Sequence, residues 1–251
     1  MLNSGNTIPK EQLAEIFWPD SDSKAAIASQ RTALYHLRKI LSRYHAEVTG
    51  NNAFIYETPE GLQIRKNDAL ELDIYEFSRL YDEFSSLTVQ HLQAKEKEAD
   101  QYQVTDNKAD IKTGILAGIQ TDIQTGLLEK MISIYKGELM EGTDYGDLVY
   151  PERERFCSIF VEICHKLSAI YIKRGELQQA EKLLIRALTN EPYNENVCLE
   201  LLKLYTSQGR KSKAVRFYYN FKNQLEQELG MKVDKRLTEA LRNPRVKGTE
   251  V

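Results

Sequence analysis

A chain of 251 residues, 41% of them hydrophobic, carries enough apolar material for one large or two ordinary domains. Its formal net charge of −3 and pI near 5.9 exclude a global attraction to nucleic acid or anionic membrane, so any such contact must come from a local patch. No apolar run approaches the ~18 residues of a membrane span and no secretory leader opens the sequence, which gives the expectation of a soluble, cytoplasmic protein with no membrane partner. Six prolines and few glycines fit a mainly α chain.

In chain order, Ile8 to Trp18 reads as a short helix, with Pro9 in its first turn, Leu13, Ile16 and Phe17 on one face, and Pro19-Asp20 as its stop. A second helical stretch follows Ser21-Asp22-Ser23. Its Leu34, Leu37 and Leu41, flanked by Ala33 and Ile40, form an apolar stripe. Steps of about 100° put Arg31, Thr32, Tyr35, Arg38, Lys39, Ser42 and Arg43 on the opposite side. From Ser23 to His45 there is no acidic residue, while Lys24, Arg31, Arg38, Lys39 and Arg43 are basic and His36 and His45 can add charge. A solvated helix face normally mixes Glu with its lysines, and this one does not. The sharper reading is a helix lying in a DNA major groove, its cations on phosphates and its Arg, Thr and Tyr near base edges. Ala46 to Val48 and Ala53 to Tyr56 are β-prone, Thr58-Pro59-Glu60-Gly61 is a turn, and Leu62-Gln63-Ile64 is a return strand. Two helices and a hairpin in that order make a helix-turn-helix with a wing.

Asp73 is the expected N-cap of a helix carrying Phe77, Leu80, Tyr81 and Phe84 at helical spacing, and it starts the second domain. Gln93 to Lys112, with its alternating Lys95-Glu96-Lys97-Glu98, reads as an exposed helix end and a mobile loop. Ile115, Ile119, Ile123 and Leu127 step by four into a helix that runs through Met131 to a cap at Gly137, beside a long helix from Pro151 to Arg174.

One pattern is then written twice at an offset of 34 residues. Leu167 returns as Leu201, Ile170 as Leu204, Tyr171 as Tyr205, Gly175 as Gly209, Ala180 as Ala214, and Leu183 as Phe217. A helix, a Gly-centred turn and a second helix at this period is the tetratricopeptide pattern, whose units bury their apolar faces only by stacking. Pro192 ends the first copy, whereas Glu226 stands at the equivalent position of the second and Phe221 replaces a small residue. The second copy is therefore expected to pack on a capping helix, Arg236 to Leu241, with a disordered tail from Asn243.

No Gly-rich phosphate loop, HExxH or Gly-x-Ser-x-Gly occurs, and the four histidines are scattered. No enzyme, cofactor or metal is expected. Cys157, Cys164 and Cys198 form no CxxC pair and read as buried free thiols, with a redox or metal role as the lesser alternative. His165 is expected in the core or at a groove edge, and the aromatic run Phe217, Tyr218, Tyr219 and Phe221 serves packing before ligand binding.

Certain residues carry a family likeness: Glu11-Gln12-Leu13 with Ile16-Phe17-Trp18-Pro19-Asp20, Leu37-Arg38-Lys39-Ile40-Leu41, Gly61-Leu62-Gln63-Ile64 and Asp73-Ile74-Tyr75-Glu76-Phe77. The order continues through Tyr135-Lys136-Gly137-Glu138-Leu139, Pro151-Glu152-Arg153, Glu191-Pro192 and Glu228-Leu229-Gly230. The chain resembles the Streptomyces antibiotic regulatory protein class and its relatives, in which an OmpR-type winged helix precedes a bacterial transcriptional activation domain. The resemblance implies a mainly α fold: a truncated winged helix-turn-helix with a small hairpin over 1–72, then a tetratricopeptide-like helical domain over 73–251. It implies a DNA-binding transcriptional regulator, an activator, whose partners are double-stranded promoter DNA, RNA polymerase or another regulatory protein, and a second copy in a homodimer. The alternative is a tetratricopeptide adaptor that holds a peptide or protein and binds no DNA.

One departure stands out. In that class a small sheet and a further helix precede the element at Ile8 to Trp18, and here only seven residues do. Exposing ~300 Å² of apolar wall would cost about 7 kcal/mol at about 25 cal/mol per Å². The expectation is that a preceding segment is absent from this sequence; the alternative is that another surface covers Leu34, Leu37 and Leu41.

Overall fold

The computed structural model describes residues 7–44, 55–64, 72–101, 107–142 and 146–242. The chain divides into two compact units, Met1–Glu76 with Gly142–Val149, and Phe77–Glu141 with Tyr150–Val251. The fold is mainly α with one antiparallel hairpin.

In the first unit, α1 (Lys10–Phe17) packs on α2 (Ser23–Tyr44), and β1 (Ile55–Thr58) pairs with β2 (Gly61–Ile64) through the turn Pro59-Glu60. Helix α1 starts later than the sequence suggests, because Ile8 is drawn into the sheet. Its N–H donates to Leu62 O at 2.8 Å and its carbonyl accepts from Leu62 N at 2.9 Å. Pro9 is then the helix N-cap. Gly61 is obligatory at this junction: its φ is +152°, and a Cβ there would lie 2.1 Å from Ile8 O. The β-prone Ala46 to Val48 lies outside the described residues, as do Ala53 and Phe54.

In the second unit, α3 (Asp73–Gln101) buries Phe77, Leu80 and Phe84 at the expected spacing. The polar stretch Gln93 to Lys112, read as a helix end followed by a mobile loop, holds more helix than that: α3 continues to Gln101, and α4 (Asn107–Ile134) begins at Asn107. Lys, Glu, Ala and Gln are strong helix formers, so a run of alternating charge is compatible with helix. The four-residue stripe of α4 is also corrected. Ile123 is exposed, whereas Thr125, Leu128 and Met131 are buried, because each four-residue step drifts about 40° around the cylinder. Gly137 does not cap α4 in a left-handed conformation.

Helix α5 (Gly146–Lys173) begins ahead of Pro151, which sits inside the helix past its first turn and forgoes the backbone hydrogen bond that another residue would donate there. Tyr135 stacks on Phe160 with centroids 4.0 Å apart, Tyr171 Oη donates to Glu129 at 2.7 Å, and Arg174 pairs with Asp122 at 2.7 Å, which fixes α4 along α5. Arg153 donates from Nε and Nη2 to the carbonyls of Leu139 (2.7 Å) and Met140 (2.6 Å), pinning a turn in which Met140 has φ +54°.

The repeat continues through α6 (Leu177–Asn190), α7 (Glu195–Ser207) and α8 (Lys211–Leu229). The two copies share their turn bond for bond: Glu176 N donates to Tyr171 O at 2.8 Å, and Arg210 N donates to Tyr205 O at 2.9 Å. Gly175 and Gly209 take φ +79° and +71° at those turns. Ala180 and Ala214 are fully buried where the helices approach. Lacking a proline at Glu226, α8 runs on to a left-handed cap at Gly230, and its added length buries Leu225. The capping helix α9 (Lys235–Arg242) packs on α7 and α8, with Leu237 fully buried and the hydroxyls of Tyr218 and Thr238 2.9 Å apart. The tail from Asn243 lies outside the described residues.

Candidate nucleic-acid interface

The sequence dictates how α2 is held. Asp22 Oδ1 accepts the N–H groups of Lys24 and Ala25, both at 2.9 Å, so an aspartate caps the donors at the helix start. Small Ala14 on α1 and Ala26 on α2 are both buried, and Gln30, also buried, donates from Nε2 to Lys10 O at 3.3 Å. These contacts fix one face of the first half of α2 against α1 and turn the opposite face outward.

Arg31, Thr32, Tyr35, Arg38 and Lys39 are all exposed on α2. Lys39 Nζ lies 6.0 Å from the Tyr35 ring centroid, and Tyr35 meets His36 edge to face at 5.4 Å. Thr32 Oγ1 donates back to Ala28 O at 3.1 Å. The backbone of Ser42 and Arg43 belongs to α2, while their side chains lie outside the described part of the chain. Along the apolar stripe, Leu34 and Leu41 are half-buried but Leu37 is 43% exposed and Ile40 is 51% exposed. The stripe expected to be core is therefore nowhere fully buried: Leu34 and Leu41 are half-covered, and Leu37 and Ile40 stand open between them.

The hairpin contributes the residue that sequence reasoning missed. Glu57 on β1 pairs with Lys10 of α1 and sits 3.9 Å from Arg38, while Arg38 Nη2 donates to Ile55 O at 3.4 Å. The hydrogen bond and charge of Lys10, then the charges of Arg38 and Arg31, hold the Glu57 carboxyl below the usual carboxylate range. Arg38 is thus tied to the hairpin while still exposed, and Arg31 and Lys39 are exposed on the same helix. No local sequence signal foretells this pairing, because its partners are joined only by the folded sheet.

The second unit holds a groove of about 510 Å³ between α5, α7 and α9, with Glu162, His165, Asn196, Lys203 and Arg236 among its lining residues. His165 is exposed at that groove. Cys164 and Cys198 are buried and Cys157 partly so. Burial pushes the thiols of Cys157 and Cys164 up to about 11 and about 12, and that of Cys198 upward likewise, so they persist as unreactive thiols at neutral pH. Among the described residues no three His, Cys, Asp or Glu side chains gather to hold a metal, and no helix is long and apolar enough to cross a membrane.

The solved structure of Mycobacterium tuberculosis EmbR in complex with a low affinity phosphopeptide has a similar fold, with a TM-score of 0.64 at 15% identity. The match covers 96% of this chain and 55% of that one, so the chain spans about half the length of that relative. Among curated proteins none matches. The family profile described as the bacterial transcriptional activator domain matches residues 117–243, about half of the sequence, which includes both copies of the repeat and the capping helix. The chain belongs to the bacterial transcriptional activator domain family.

Proposed function

We propose that this chain is a DNA-binding transcriptional regulator in which residues 1–72 form the winged-helix reader and residues 73–251 the regulatory domain. The observation that carries this reading is the acid-free, outward face of α2, capped by Asp22 and braced by α1 and the hairpin, in an otherwise acidic protein. Arg31, Lys39 and Arg43 meet phosphates, Thr32, Tyr35 and Ser42 lie toward base edges, and Arg38 joins the hairpin at the backbone. The chain acts by binding and catalyses nothing itself. Its regulatory domain contacts RNA polymerase or another regulatory protein, and two copies bind paired half-sites.

A gel shift with a duplex from the neighbouring promoter tests this. The wild-type chain retards the duplex, and Arg31→Ala with Lys39→Ala weakens binding by about tenfold or more, each phosphate contact being lost with its released counterion. Equal retardation by the double variant would reject the assigned face.

A second reading draws on the groove between α5, α7 and α9. The EmbR structure contains a phosphopeptide. An adaptor that binds a peptide in its groove and no DNA would give no gel shift, and Lys203→Ala would weaken its peptide binding.

A further inference from the structure

The 34-residue repeat aligns more than its core. Moving along it from α6 to α8 brings Lys182 onto Arg216 and Ile185 onto Tyr219. All four side chains are exposed, Ile185 by 45% and Tyr219 by 53%. Core packing explains why Ala180 returns as Ala214, but it does not explain an outward cation followed three residues later by an outward apolar side chain in both copies.

The surroundings of these side chains have one sign. No exposed residue of α6, or of α8 as far as Gln224, is acidic. The single carboxylate on these stretches, Glu181, is largely covered and neutralised by Arg210 at 2.6 Å and by Lys213, contacts that also clamp the start of α8 to α6. Lys211 and Val215 extend the exposed face along α8, and Val215 is 41% exposed.

We infer that this outer face of α6 and α8 docks a protein partner through an acidic amphipathic helix, whose carboxylates meet Lys182, Lys211 and Arg216 and whose apolar side chains cover Ile185, Val215 and Tyr219. Charge complementarity sets the sign of the partner. The apolar rungs at helical spacing set its class, because a nucleic-acid backbone offers phosphates and no apolar stripe for Ile185 and Val215 to cover. The inference deepens the partner contact of the proposed function and rests on the repeat unit alone, whether or not α2 binds DNA.

The test uses the full chain and a fluorescein-labelled synthetic peptide of about 18 residues, with Leu at helical spacing and Glu on the flanking positions, followed by fluorescence anisotropy. The peptide binds, and a scrambled peptide of the same composition binds at least about tenfold more weakly. Ile185→Ser with Tyr219→Ser weakens the helical peptide by about tenfold. Lys182→Glu with Arg216→Glu abolishes its binding and gains binding of a peptide in which Lys replaces Glu. All four positions are on the surface, so circular dichroism of each variant matches wild type. Absence of binding, equal binding of the scrambled peptide, or displacement of the peptide by a duplex of matched charge would each overturn the inference. The serine variant retards the promoter duplex as wild type does, so failure of this face and failure of the α2 face are read separately.

Discussion

In the repeat unit Leu167 and Leu201 occupy equivalent positions and both are buried, whereas in the N-terminal unit Leu37 and Ile40, on what looks in sequence like an equally good core stripe, stand open. The repeat supplies cover for its core, since the inner faces of α6, α7 and α8 meet neighbouring helices and α9 closes the end of the stack. In the first unit, among the described residues, α1 packs on the first half of α2 and the hairpin meets it at Arg38, and Leu37 and Ile40 stay open. An apolar stripe is thus a demand for a partner surface, and the sequence of the stripe alone does not say where that surface is.

Truncating a leucine in each region sharpens the contrast most. Leu201→Ala should lower the unfolding free energy of the repeat unit by about 2–5 kcal/mol in urea titrations, the cost of lost transfer energy plus a cavity. Leu37→Ser should change stability by no more than about 0.5 kcal/mol, as exposed positions do. A large loss from Leu37→Ser would show that the stripe is covered in solution.

A pair of glycines gives the next largest difference. Gly61→Ala drives a Cβ into the Ile8 carbonyl and should cost the first unit about 1–3 kcal/mol, with loss of the slow amide exchange of Ile8 and Leu62. Gly175→Ala meets open space and carries only the left-handed backbone penalty of about 1–2 kcal/mol. Equal effects on both amides from the two substitutions would contradict the Ile8 bridge.

The smallest effect is electrostatic. Burial raises the Glu181 carboxyl, but hydrogen bonds from Lys213 and Arg210 and their charges outweigh it, so it ends below the usual carboxylate range. A carboxylate held down in the folded state stabilises fully above its unfolded pKa and loses that contribution as pH falls through the lower folded value. The repeat unit should therefore lose stability as the pH falls through the carboxylate range, and Glu181→Gln should weaken that dependence while costing about 0.5–1 kcal/mol at neutral pH. An unchanged acid limb in the variant would reject the ion-pair clamp.

What the sequence made readable follows from how local each constraint is. The repeat was readable because its glycine turns, alanine contacts and buried leucines recur at one offset, and the structure reproduces even the turn hydrogen bonds. The extent of helix between Gln93 and Lys112 was not readable, because a run of Lys and Glu has the same composition in a helix and in a loop. Pro151 was taken for a helix start because a proline near the N-terminus and one at it differ only in context. On α2 the exposed cations were readable from the absence of acid, but the grip of Glu57 on Lys10 and the tie of Arg38 to Ile55 O depend on strand pairing between residues far apart in sequence. The outward match of Lys182 with Arg216 was visible in the letters and acquired meaning only when both were found exposed.

The central claim, that the outward face of α2 meets duplex DNA, is tested most directly by the dependence of binding on salt. Affinity for the promoter duplex should fall linearly on logarithmic axes as salt rises, and removing Arg31 and Lys39 together should make that slope shallower by about two units, roughly 0.9 for each phosphate contact. Binding whose slope is the same with and without those two side chains would contradict it.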